Sequence, residues 1–230
     1  MQPQFEAIVP FKHRGAKSRL SPVLSTRERR LLAFAMLKDV LSAVLSFGPA
    51  TIISPTGLDI VEVGLDVEIM ESDLELNGAL NSVIEHEAHL GWPSDILIVM
   101  ADLALLTEKD LIGILNCEGD VVLCPGRGGG TNMILIRDPR FRSCYQGLSF
   151  PKHLRLAEEL GLRATVFESF RAGCDIDLPD DLAEVLLHGR GETKAFLETM
   201  GFRLSGNGRS GVERESNDAV LDTNDTARRL

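Results

Sequence analysis

Residues 95–107 read "DILIVMADLALLT". The run from Ile96 to Ala101 is apolar without a break, the pattern of a strand buried on both faces, and the carboxylate of Asp102 follows at once. In open α/β sheets the carboxyl ends of the central strands form the ligand crevice, which is where this reading puts Asp102. Its plain alternative is a turn cap ahead of the helix "EKDLIGILN", which Thr107 opens.

Working outward, other short apolar runs bounded by turn residues alternate with helix-period segments. "FEAIVP", "ATIIS", "DVEIM", "DVVLC", "MILIR" and "RATVFE" read as strands, and 26–47, 76–90, 149–160 and 192–200 as helices, with "DDLAEVLLH" a further helix for which Pro179 suits the first turn. In the first helix Ser25 and Glu28 form a capping box, Leu31, Phe34, Leu37, Leu41 and Val44 share one face, and Gly48-Pro49 ends it. The alternation predicts an α/β layer fold with a largely parallel sheet. Residues 1–202 are expected to form one domain. Residues 203–230, with few large apolar side chains and five basic against five acidic residues, are expected to be a poorly ordered tail.

Composition narrows the function. With 230 residues, 44% hydrophobic and 25% charged, the chain can bury one sizeable core. A formal net charge of −10 argues against a nucleic-acid partner. No stretch is long and apolar enough to span a bilayer, and the start lacks the pattern of a secretion signal, so a cytoplasmic protein without a membrane partner is expected. Cys117, Cys124, Cys144 and Cys174 form no C-x-x-C pair and read as small buried hydrophobes. There is no Ser-His-Asp order, no G-x-S-x-G and no H-E-x-x-H, while His86 and His89 lie on an acidic helix facing solvent.

Against the acidic average, residues 12–30 hold seven Lys/Arg and one acid. Lys12, His13, Arg14, Lys17 and Arg19 crowd the loop that leaves the first strand, and Gly15 lets that loop turn. A strand-to-helix loop of this kind can wrap phosphates with backbone N–H groups while its lysines neutralise charge, although it is not a Walker loop. Asp175 and Asp177 in "CDIDLP" share one face of an extended segment, about 6–7 Å apart, a spacing that suits a magnesium ion together with Asp102. Alternatively Asp177 caps the helix that follows. "GRGGG" at 126–130 reads as a hairpin turn or as a place for a ligand to approach the backbone beside Thr131. Gly147 and Ser149 begin a helix, another place for an anion, or else Ser149 is a simple cap.

Taken in order, "VPFK", "AKSRLS", "ADLALLT", "GGGTNMI", "GLSFPKH" and "DIDLPDDL" resemble the 2-phospho-L-lactate guanylyltransferase family of deazaflavin coenzyme biosynthesis, over about residues 5–200. The resemblance implies a single three-layer nucleotidyltransferase domain of the nucleotide-diphospho-sugar transferase type. It implies a reaction that joins the GMP part of GTP to a phosphorylated three-carbon acid and releases pyrophosphate, with Mg²⁺ as cofactor and a homodimer as the assembly. Asp102, Asp175 and Asp177 then become metal carboxylates. Pro10, Lys12, Gly15, Lys17 and Arg19 become the nucleotide loop, with Lys12, Lys17 and Asp102 catalytic, and Thr131, Gly147 and Ser149 hold the acid. Related motifs occur in molybdenum-cofactor and sugar-phosphate nucleotidyltransferases, and a non-catalytic nucleotide-binding protein could retain the same fold.

Overall fold

The central strands pair through their most apolar residues. In a computed structural model describing residues 5–205 and 211–215, β1 (Phe5–Pro10) lies between two parallel neighbours, β2 (Ala50–Ser54) and β4 (Asp95–Val99). The edge strand β3 (Glu68–Glu71) adds to β2 in parallel. On the other side β6 (Thr131–Ile136) runs antiparallel to both β4 and β5 (Val121–Pro125), and β7 (Ala164–Val166) closes the sheet parallel to β5. The order is β3-β2-β1-β4-β6-β5-β7, parallel except for the two pairings of β6. A hairpin through "GRGGG" joins β5 to β6, so the plain turn reading of that stretch describes its geometry.

Alternation along the strands divides the core into two layers. Ala7, Val9, Ile52, Leu97, Val99, Val122 and Leu135 face one layer with the helix α1 (Thr26–Leu45), while Ile8, Ile53, Ile96, Ile98, Leu123 and Ile134 face the other. Between β2 and β3 lies a short helix α2 (Ile60–Val63). The second layer holds α3 (Leu76–His89) and α5 (Ser149–Glu159); the first also holds α4 (Glu108–Asn116), α6 (Asp181–His188) and α7 (Glu192–Thr199).

Two expectations are corrected. Leu31 is 44% exposed, and α1 instead buries Leu32, Met36 and Val40 beside Phe34, Leu37, Leu41 and Val44. Leu31 borders an open hollow between α1 and α7, lined also by Phe34, Ala195 and Phe196. The domain also continues past residue 202: β8 (Phe202–Ser205) and β9 (Gly211–Arg214) pair antiparallel and pack on α6 and α7. Phe202 is buried, the Arg214 guanidinium lies 5.3 Å from its ring centre, and Arg214 Nη2 donates to Glu28 Oε1 at 2.5 Å. That bond, with those from the Ser25 hydroxyl and amide, brings the Glu28 carboxyl down to about 2. A poorly ordered tail was expected here; its residues 206–210 and 216–230 lie outside the described residues.

One carboxylate joins α1 to α7. Asp39 accepts from Glu192 N at 2.6 Å and Thr193 N at 3.0 Å, supplying the first turn of α7 with acceptors that its own N-cap, Gly191, lacks. Asp39→Ala is therefore expected to lower stability by about 1 kcal/mol, read as a shifted urea midpoint with unchanged slope.

Candidate functional site

Where β1 ends, the chain enters the crevice through a loop held from below. Phe11 N donates to Ile53 O at 2.8 Å, Gly15 turns with a φ of 67°, and Leu20 and Leu24 are buried in the α1 layer. Lys17 takes a left-handed backbone (φ 56°), uncommon for a residue with a Cβ, just before the 3-10 turn at Ser18–Leu20.

From that position Lys17 Nζ donates to Asp102 Oδ2 at 2.6 Å and to Asp177 Oδ1 at 2.7 Å. Asp102 follows β4, and its carbonyl accepts from Ile176 N at 3.2 Å, which draws the segment carrying Asp177 alongside. Burial alone would lower the Lys17 pKa; the attraction of Asp102 and Asp177 and their hydrogen bonds more than offset it, and the net shift is upward. The ammonium stays charged. Arg19, largely exposed, reaches Asp177 Oδ2 at 3.5 Å.

Asp177 is not the helix cap. Asp181, in the first turn of α6, accepts from Asp177 N at 2.9 Å and Leu178 N at 2.7 Å, so its carboxylate organises the turn and leaves Asp177 directed at Lys17. Asp175 stands apart: its Oδ1 accepts from Asn132 Nδ2 at 3.3 Å, and the same amide donates to Ala172 O at 2.9 Å. Among the described residues no three His, Cys, Asp or Glu side chains form a ready-made metal cage. The expected trio thus divides into a Lys17-bridged pair and a third carboxylate turned to an amide, because alternate residues on an extended segment are spread along it rather than focused on one point. The pair still fits a hard cation. Its donors are carboxylate oxygens, and Asp102 Oδ1 is buried without a hydrogen-bond partner, an oxygen that a cation would satisfy.

Pro10, Lys12, Lys17 and Asp102 line one side of a cleft of about 420 Å³, with Ile53, Met36 and Ala79 among its apolar lining and Ser72 to Leu76 along the rest. His13 is a correction to the basic loop. It is buried, with Nδ1 3.2 Å from Ser54 Oγ, and burial first, then Arg14 and Arg30, push its pKa down, so near neutral pH it adds no charge. Lys12 and Arg14 are exposed and make no ion pair among the described residues.

Thr131, Gly147 and Ser149 do not line this cleft; they gather at the amino end of β6, whose Asn132 carbonyl accepts from Met100 N at 3.0 Å beside the end of β4. Gly147 has a φ of 60° and leads into α5. Ser149 is buried and does not cap: its Oγ lies 3.1 Å from Thr131 Oγ1. His153, one turn along α5 and left without a role by the sequence reading, places Nδ1 2.8 Å from Thr131 Oγ1 and accepts from Cys144 N through Nε2 at 2.7 Å. The i, i+4 spacing from Ser149 was the available signal.

The sequence model of the family described as guanylyl transferase CofC-like matches residues 5–217. The chain belongs to that family. A 2-phospho-L-lactate guanylyltransferase of Methanothrix thermoacetophila is 54% identical over 199 residues, 86% of this chain and 90% of that protein. Two solved structures share the fold. One, from Desulfovibrio desulfuricans G20 and provisionally classed as a nucleotide-diphospho-sugar transferase, has a TM-score of 0.72 at 16% identity, covering 86% of this chain and 95% of the other. A nucleotidyl transferase from Methanothermobacter thermautotroptrophicus has a TM-score of 0.59 at 20% identity, covering 85% and 99%. The chain's fold class is the expected one, and it is an enzyme of the nucleotidyltransferase type.

A group whose folded pKa is raised contributes stability that is complete below its unfolded value and is lost as pH rises through the folded value. For Lys17 that loss begins above the ordinary 10.5. The difference in thermal midpoint between the wild type and Lys17→Met should therefore be largest near neutral pH and shrink as the pH is taken above that value, in paired melting curves.

Proposed function

We propose that the protein joins GMP from GTP to the phosphate of 2-phospho-L-lactate and releases pyrophosphate, a step in making the deazaflavin coenzyme F420. The observation that carries the reading is the Asp102–Lys17–Asp177 bridge at the wall of a ligand-sized cleft, in a chain 54% identical to a 2-phospho-L-lactate guanylyltransferase.

The chemistry is an in-line displacement. A phosphate oxygen of the acid forms a bond to the α-phosphorus of GTP, the bond from that phosphorus to the bridging oxygen breaks, and the electron pair leaves on pyrophosphate. Asp102 and Asp177 would hold a magnesium ion, which when bound supplies Lewis-acid neutralisation of phosphate charge. Lys12, exposed at the cleft wall, and Lys17 neutralise the charge that grows on the departing pyrophosphate. Pro10 and Gly15 shape the loop around the nucleotide, with open space beside the Gly15 backbone for a phosphate, and Arg19 adds charge at its rim. Thr131, Gly147 and Ser149 hold the acid by hydroxyl and backbone donors at the start of α5. Asp175 supports the site through Asn132.

The use of GTP favours the cytoplasm as the place of action, and no described helix is long and apolar enough to cross a membrane. As for a homodimer, the exposed Phe170, Leu178 and Leu187 offer apolar surface around α6.

Asp102→Ala and Asp177→Ala are each expected to cost at least ~10²-fold in turnover, by analogy with removal of one preorganised electrostatic contact, and Asp175→Asn distinctly less. Pyrophosphate release measured with four nucleotides against 2-phospho-L-lactate, phosphoenolpyruvate and phosphoglycerate tests the reading. GTP with 2-phospho-L-lactate should be the fastest pair; preference for another nucleotide, or full activity of a folded Asp177→Ala protein, rejects it.

A further inference from the structure

Three side chains at the start of β6 and α5 leave little freedom in where their protons sit. A backbone amide can only donate, so the bond from Cys144 N at 2.7 Å requires a lone pair on His153 Nε2. The neutral ring then carries its hydrogen on Nδ1, and burial, which pushes the pKa down to about 4, keeps it neutral. Nδ1–H faces Thr131 Oγ1 at 2.8 Å, so that oxygen is an acceptor and the threonine hydrogen must point elsewhere. Ser149 Oγ is 3.1 Å from the same oxygen.

Two hydroxyls own two hydrogens, and their mutual bond consumes one. Whichever way it runs, one hydroxyl hydrogen of the Thr131–Ser149 pair has no acceptor among the described residues. A second unused donor belongs to a residue whose ring packs on the imidazole. Tyr145 packs edge-on to the His153 ring at 5.1 Å, and its buried hydroxyl also has no partner. Buried donors without acceptors are rare in folded proteins, so the spare hydrogen of the Thr131–Ser149 pair points to a ligand that brings an acceptor.

We propose that His153, held with its proton on Nδ1, is a positioning residue that anchors Thr131 Oγ1 as an acceptor and so holds the Thr131–Ser149 pair, with its one spare hydroxyl hydrogen, for the carboxylate of the phospho-acid. This rests on the function proposed above. His153 touches neither substrate nor reacting atoms; it acts through Thr131. With the imidazole gone, the pair loses that anchor and its spare hydrogen is free to rotate away from the acid, while the nucleotide cleft is unchanged.

The test has two arms. In wild-type protein the nitrogen shifts of ¹⁵N-labelled histidine, assigned through the Cys144 amide, distinguish the two neutral tautomers and the imidazolium; Nδ1–H is expected, and Nε2–H at neutral pH overturns the proposal without any variant. In kinetics, His153→Phe should raise KM for 2-phospho-L-lactate about 3- to 10-fold, the size of one net hydrogen bond, and leave KM for GTP within about twofold. In a Thr131→Val background the same substitution should change KM for the acid by less than about twofold, and His153→Gln should recover part of the loss. Equal rises in both KM values, or effects that simply multiply in the double variant, indicate a merely structural role and overturn the proposal. A wild type inactive on every acid rejects the proposed function and this inference with it, whereas an active wild type with a failed cycle rejects the inference alone.

Discussion

An ammonium group shared between two carboxylates that arrive from different parts of the chain is the constraint around which the crevice is arranged. Lys17 can reach Asp102 and Asp177 because its backbone is left-handed, because Leu20 and Leu24 pin the following turn, and because Ile176 N bonds to the Asp102 carbonyl. Each of those conditions is set by a different layer of the fold. β4 carries Asp102 to the carboxyl end of the central strands, and the first turn of α6, through Asp181, sets the angle at which Asp177 leaves the chain. Two carboxylates this close would repel without a cation between them, so the lysine is as much a part of the fold as of the site.

The same bridge redefines the basic loop. Five side chains there can carry positive charge, yet Lys17 and Arg19 already face carboxylates and His13 is buried and neutral. That leaves Lys12 and Arg14 as the uncommitted cations among the described residues of the loop, both exposed. A triphosphate bound as proposed would meet these two exposed charges first and the paired ammonium deeper in. This suits a guanylyltransferase, whose leaving group gains charge during the reaction and must then depart.

Much of this was legible in the sequence, for reasons that can be named. Strands such as 96–99 and 133–136 are apolar throughout, and only a doubly covered sheet accommodates them, so the layers followed from the pattern. Asp102 was legible because the end of such a strand has few places to be. The antiparallel direction of β6 against β5 was legible in the hairpin turn at Gly126–Gly130, whereas its place beside β4 was not, because the strand's composition does not name its other neighbour. Nor was the β8–β9 hairpin, whose four-residue strands are too short to show a period and are anchored by Phe202 and the Arg214–Glu28 pair. Asp175 and Asp177 looked equivalent by spacing, but Asn132 claims one and Lys17 the other, a distinction made by residues more than forty positions away.

The two halves of the site also differ in how their polar groups are satisfied. In the half proposed to take the nucleotide, Lys17 sits in a strained backbone region and Asp102 Oδ1 is buried without a donor, both unfavourable on their own. In the half proposed to take the acid, Thr131, Ser149 and His153 satisfy one another apart from a single hydroxyl hydrogen. A divalent cation held as proposed would compete with the ammonium for Asp102 and Asp177, and its arrival would shift the contacts around Lys17. The acid half has no such competition. A site that rearranges on one side and is already set on the other favours an order of events in which the nucleotide, and the charge it brings, completes the electrostatics before the acid is aligned against it.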